Sequence, residues 1–100
     1  QIIRTFKHAP NDKISFEYAK SLYHEGLTEK TQKIIENLIE KVNLDWRTVY
    51  KSYYLLAKLN LEKKNYTNAR KFNNLSLKAH PNYSLAIELQ NKLKNYSKKV

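Results

Sequence analysis

The chain has a single glycine, Gly26, and two prolines, Pro10 and Pro81, in 100 residues. Hairpin-built sheets need turn residues at short intervals, because tight strand-to-strand turns demand positive φ or a preset bend. Long helices need almost none. The scarcity therefore argues against a sandwich or barrel and for an all-α fold cut into a few long helices. The length suits one small domain with one core. Apolar residues at 41% and charged residues at 28% are ordinary for a soluble globule.

Hydrophobic spacing and the few breakers divide the chain. Gln1–His8, with Ile2, Ile3 and Phe6, reads as the tail of an N-terminal helix. Ala9-Pro10-Asn11-Asp12 reads as a break, with Asp12 as the N-cap of a helix over about 13–25 carrying Ile14, Tyr18, Ala19, Leu22 and Tyr23. Gly26 falls where a helix C-terminus needs the left-handed conformation. Thr28 is expected to cap a second helix with the stripe Ile34, Ile35, Leu38, Ile39 and Val42. Asp45 caps a third, about 46–63, bearing Val49, Tyr53, Leu56, Ala57, Asn60 and Leu61. Asn65 opens a fourth with Ala69, Phe72, Leu75, Ser76 and Ala79, which His80-Pro81-Asn82 breaks. A last helix, about 83–96, has Leu85, Leu89, Leu93 and Tyr96 on one edge. Short connections imply an antiparallel stack.

Within that stack the small residues are spaced as in helix-turn-helix repeats of ~34 residues, in which helices cross closely, an aromatic plugs the turn and proline ends the unit. Ala57, Ala69 and Ser76 fall on the small positions, Tyr66 on the turn aromatic and Pro81 on the terminator, so residues 50–83 resemble one tetratricopeptide repeat. A degenerate repeat precedes it: Ala19 and Gly26 match, while Thr31 and Leu38 replace small residues. The predicted organisation is a single domain. Residues 1–11 are the remnant of an N-terminal arm, 12–46 the degenerate repeat, 47–82 the second repeat and 83–97 a capping helix.

Several function classes find no support. There is no Cys, hence no disulfide framework and no thiolate metal site. His8, His24 and His80 lie on different elements without zinc-motif spacing. One glycine cannot form a phosphate-cradling loop, and no nucleophile elbow is present. No enzyme, cofactor or metal is expected. No run approaches the about 18 apolar residues of a bilayer span, and no signal peptide is visible. The chain opens with Gln1 and closes on Ser97-Lys98-Lys99-Val100, so a membrane anchor outside it is compatible with the sequence.

Charge is unevenly placed. Of the net +10, residues 51–100 hold eleven Lys/Arg against Glu62 and Glu88 alone, a balance of +9. Such a half suits nucleic acid, an anionic membrane surface or an acidic partner, although solvated lysines on helix faces account for it more simply.

The order of segments carries a closer resemblance. Phe16-Glu17-Tyr18-Ala19, an Ile/Leu-rich helix, Tyr53-Tyr54-Leu55-Leu56-Ala57, Leu61-Glu62-Lys63-Lys64-Asn65-Tyr66-Thr67-Asn68-Ala69 and Pro81-Asn82 follow one another. Over about residues 12–96 this looks like the cytosolic domain of the mitochondrial fission 1 protein family. The resemblance implies a tail-anchored adaptor of the outer mitochondrial membrane, shared with peroxisomes, whose helical domain faces the cytosol. It implies partners in the dynamin-related fission GTPase or its adaptor proteins, no enzymatic activity, and an anchor following Val100 with Lys98-Lys99 as its basic flank. In the family a large aromatic usually follows the FEYA segment, and here Lys20 does. A small residue usually precedes Asn60, and here it is Leu59. The family's first helix is mostly missing from this chain, and that arm regulates access to the groove.

In stacked hairpins the first helix of each lines a concave surface. The alanine register puts Phe16, Lys20, Tyr23 and His24 there from the first hairpin, and Lys51, Tyr54, Lys58, Leu61 and Glu62 from the second. Aromatics beside cations suit an amphipathic partner helix with acidic flanks. Lys20 and Lys58, at equivalent repeat positions, are expected side by side on the groove floor. Packing between hairpins is the competing role of Phe16, Tyr23 and Leu61. The alternative from another class is a basic helical module stacking single-stranded nucleic acid on its eight tyrosines. A third, a clamp for a C-terminal carboxylate, fits poorly with Tyr54 and Leu61 in the groove.

Overall fold

The computed structural model describes residues 9–41 and 44–98; the predicted helix tail Gln1–His8 and the stripe residue Val42 lie outside them. Five helices follow in order: α1 (Ala9–His24), α2 (Thr28–Ile39), α3 (Trp46–Glu62), α4 (Tyr66–Ala79) and α5 (Ser84–Lys98). No strand occurs among the described residues.

Three of the five helices, α1, α3 and α4, end for a local reason. After α1 the chain turns through Gly26 at φ +88°. The Leu27 N–H donates to the Leu22 carbonyl and the Gly26 N–H to that of Tyr23, each at 3.0 Å, the paired bonds of a Schellman cap. After α3, Lys64 takes the left-handed conformation at φ +63°, with Asn65 N–H donating to Asn60 and Lys64 N–H to Leu61. The Asn65 side chain then accepts from the Asn68 N–H at 3.3 Å and opens α4. Pro81 follows the end of α4, as expected.

Three terminus expectations are corrected. α1 runs through Pro10, Asn11 and Asp12 rather than starting after them. Proline second in a helix lacks only an N–H that has no intrahelical acceptor there. Thr28 is the first residue of α2, not its cap; Leu27 holds the cap position without a side-chain bond, and Thr31 Oγ1 donates back to the Leu27 carbonyl at 2.8 Å. Asp45 sits at the cap of α3 but contributes its carbonyl, accepting from Thr48 and Val49, rather than its carboxylate.

Consecutive helices run antiparallel. Ser76 Oγ donates to the Tyr50 carbonyl at 2.7 Å, and farther along the same pair Tyr53 stacks on Phe72 at 6.2 Å. Asn73 reaches Ala86 across α4 and α5, while Tyr66 stacks on Tyr96 at 4.6 Å. Small residues permit these close crossings: Ala19, Ala57, Ala69 and Ser76 are fully buried. Thr31 also fits at the crossing of α1 and α2, with its hydroxyl 3.3 Å from the Ala19 carbonyl. The stack measures 55 × 27 × 19 Å, and its thinnest extent matches two layers of helices about 10 Å across.

Two apolar clusters form the core. Phe16, Ala19, Ile35, Leu38, Leu55, Leu56 and Leu59 join the first hairpin to α3. Ala57, Ala69, Leu89 and Leu93 join α3 and α4 to α5. The expected α1 stripe is wrong at two positions: Ile14 is 63% and Tyr18 58% exposed, while Phe16 is 7% exposed and packs inward. Ala79 is exposed as well. Burial selects Phe16, Ala19 and Leu22, an i, i+3, i+6 ridge that faces α2 and α3 together. Leu59, where the resembled family has a small residue, is itself fully buried in the first cluster.

Candidate functional site

α1 and α3 lie side by side in the same direction. The Tyr23 hydroxyl donates to Glu62 Oε2 at 2.5 Å near their C-terminal ends. Between them, and closed at one end by the start of α5, is a cavity of about 410 Å³. Phe16, Lys20, Tyr23 and His24 of α1 line it, with Lys51, Tyr54, Leu55 and Lys58 of α3 and Tyr83 and Leu85 beyond.

Seven of the nine groove residues expected from the sequence therefore share one cavity. Leu61 does not: it is half-buried against the second core cluster. Glu62 is also outside the lining, where it holds Tyr23 from the side. Phe16 serves both roles weighed for it, since it is a core residue whose face forms part of the groove wall. Tyr83, Leu85 and Leu55 were missed. The first two stand at the start of α5, outside the expected hairpin register, and Leu55 carried no role of its own in the sequence reading.

Lys58 is the organising cation. Its Nζ lies 5.3 Å from the Tyr23 ring centroid and 5.8 Å from that of Tyr54. Two rings holding one ammonium by their π faces restrict a side chain that otherwise samples many rotamers. The charge of Lys58 is thus presented at a fixed place between aromatic walls. His24 meets the edge of Tyr23 at 5.6 Å and is exposed. The described lining contains three lysines and no carboxylate, so the concavity focuses positive potential.

The tyrosines are tuned by this setting. Burial raises the Tyr23 hydroxyl well above the usual phenol range, and its bond to Glu62 and that carboxylate's charge push the same way. Burial also raises Tyr54, with Glu88 adding to it. Tyr83 is pushed up to about 12 by burial and by neighbouring Tyr54 and Tyr50. All three are neutral at physiological pH and act as hydrogen-bonding aromatic surface.

Past Tyr83 the aromatic surface continues. Tyr50 is 4.6 Å from Tyr83 and 4.5 Å from His80, and Trp46, 52% exposed, lies 5.5 Å from Tyr50. The Arg47 guanidinium covers Trp46 at 5.6 Å. Trp46 carried no expectation from the sequence; a tryptophan at the first position of a helix gives no sign of its direction.

Among the described residues no three His, Cys, Asp or Glu gather into a metal-binding group, and no helix is long and apolar enough to cross a membrane. No protein family, curated protein or solved structure matches the chain.

Proposed function

We propose that this chain is a non-enzymatic adaptor whose groove between α1 and α3 binds an amphipathic helix of a partner protein with acidic flanks. The observation that carries this reading is Lys58 held between Tyr23 and Tyr54 on the floor of a cavity whose other charges, Lys20 and Lys51, are also positive. A partner carboxylate pairs with that ammonium while apolar side chains meet Phe16, Leu55 and Leu85. In the finer architectural reading, α1–α2 and α3–α4 are two tetratricopeptide-type hairpins and α5 is their cap. Antiparallel pairing, buried Ala57, Ala69 and Ser76, and the Tyr66 stack at the hairpin's turn support it.

The resemblance to the mitochondrial fission 1 family gives the proposal its setting. The partner is then the dynamin-related fission GTPase or one of its adaptors, at the cytosolic face of the outer mitochondrial membrane and at peroxisomes, with a tail anchor after Val100. Two measurements separate the levels of this reading. Calorimetric titration with an acidic amphipathic helix from the GTPase or its adaptors tests the groove; equal heats from wild type and a folded Lys58→Glu variant would remove it. An alkaline carbonate wash of membranes carrying the full-length protein tests the setting. Release of the protein while outer-membrane markers stay in the pellet would end the anchored reading and leave a free binding module.

A further inference from the structure

A second cavity, of about 190 Å³, opens between α4 and α5 and shares no residue with the groove. Arg70, Asn73 and Asn74 line it from α4, and Gln90, Leu93 and Lys94 from α5. Two of these residues leave a polar atom unanswered. Arg70 Nη1 and Asn73 Oδ1 are both shielded from solvent, and neither has a hydrogen-bond partner among the described residues.

Asn73 is 1% exposed, and its orientation is fixed chemically. Its amide nitrogen donates to the Ala86 carbonyl at 2.8 Å, an acceptor that only the NH₂ end can satisfy. The oxygen is therefore the free end. Leaving a buried acceptor or a guanidinium nitrogen unpaired is destabilising, more so where the group is charged. The pair makes opposite demands: Arg70 needs an acceptor, preferably anionic, and Asn73 needs a donor.

We infer that this cavity is a binding site for a monoprotonated phosphoryl group. One such group meets both demands, since its oxyanion accepts from Arg70 while its P–OH donates to Asn73 Oδ1. Lys94 adds a second cation, and the amides of Asn74 and Gln90 are further donors at the rim. The only acidic residues in this half of the chain are Glu62 and Glu88, and neither lines the cavity. The volume matches about six waters at their liquid share, which is room for a phosphoryl head. Soluble phosphomonoesters and the headgroup of phosphatidic acid both present this chemistry.

The test is a titration of the isotopically labelled chain with inorganic phosphate, sulfate and chloride at matched ionic strength, following the side-chain amide resonance of Asn73. Phosphate is expected to saturate. It should bind about tenfold or more tightly than sulfate, which has no proton for Oδ1. Phenyl phosphate, whose dianion has no P–OH, should bind more tightly as pH falls from about 8 to about 6 and it gains that proton. Arg70→Gln should weaken binding about tenfold or more. Exposed Lys94→Gln should weaken it several-fold, and this variant decides the matter if Arg70→Gln does not fold. Vesicles of phosphatidylcholine with and without phosphatidic acid separate the sources. Phosphatidic-acid-dependent binding displaced by phosphate assigns the headgroup; phosphate binding without vesicle binding assigns a soluble ester. Shifts that are equal for all three anions, that never saturate, or that survive both substitutions would overturn the site and leave water to satisfy Arg70 and Asn73.

Discussion

Gly26 and Lys64 occupy the same place in the α1–α2 and α3–α4 turns, each the left-handed residue two positions past the end of the preceding helix. Both turns carry the same pair of backbone bonds, 5→2 and 6→1. One turn uses the residue that adopts positive φ freely, and the other imposes it on a residue with a Cβ.

The second turn is therefore open to improvement. Lys64→Gly is expected to raise stability by up to ~1 kcal/mol. Gly26→Ala is expected to lower it by about 1 kcal/mol through backbone strain alone, because nothing lies within 4 Å of the added Cβ. Urea denaturation midpoints at constant m-value check both signs.

Ser76 is buried where the first hairpin has Leu38, and its hydroxyl answers the Tyr50 carbonyl. Ser76→Leu should cost about 1–3 kcal/mol or more by overpacking a close crossing and removing that donor. Ser76→Ala should cost only about 1 kcal/mol. Thermal unfolding of the two variants should rank them in that order; equal losses would mean that the crossing is looser than its geometry indicates.

Charge reversal at Lys58 should weaken an acidic partner helix by about tenfold or more, and reversal at Lys20, which is exposed, by less. Neither should reduce the helical circular dichroism. A salt titration should show a shallower dependence for Lys58→Glu than for wild type.

Alkaline pH should loosen the groove end of the stack. A phenol whose folded pKa is raised favours the folded state below its unfolded value of about 10, and that advantage is lost as pH rises through the folded value. For Tyr83 the window runs from about 10 to about 12, and Tyr23 and Tyr54 act in the same direction. Tyrosinate absorbance followed beside ellipticity should show delayed ionisation of these residues, coincident with unfolding. Ionisation of every tyrosine at its unfolded value, with structure retained, would contradict the burial.

The boundaries legible in the sequence were those written in backbone chemistry: Gly26, Asn65 and Pro81 mark turns because few residues satisfy them. Pro10 misled because proline both breaks helices and starts them, and only the surrounding structure decides which. The α1 phase slipped because Ile14 is as apolar as Phe16 and Leu22 and Tyr18 carries a large apolar ring, and a single amphipathic stripe does not say which neighbour it meets. Buried Ser52, Thr48 and Asn73 were invisible to a hydrophobic pattern; for Asn73 the burial follows from its bond to the Ala86 carbonyl. Most of the groove was readable from the hairpin register. Its closing wall, Tyr83 and Leu85, comes from the start of α5, outside the expected register.

Almost every helix packs on the one before or after it in the chain, and α3 with α4 forms the largest of these interfaces. The contact of α1 with α3 skips a neighbour, as does the packing of Ala57 in α3 with Leu89 and Leu93 in α5. Such sequence-local wiring means that little chain entropy is lost before contacts begin to reward it, and helical topologies of this kind fold in microseconds to milliseconds. The α3–α4 hairpin is the natural nucleus. The groove, which needs α1 laid alongside α3, is then the last part of the molecule to assemble and the first to come apart.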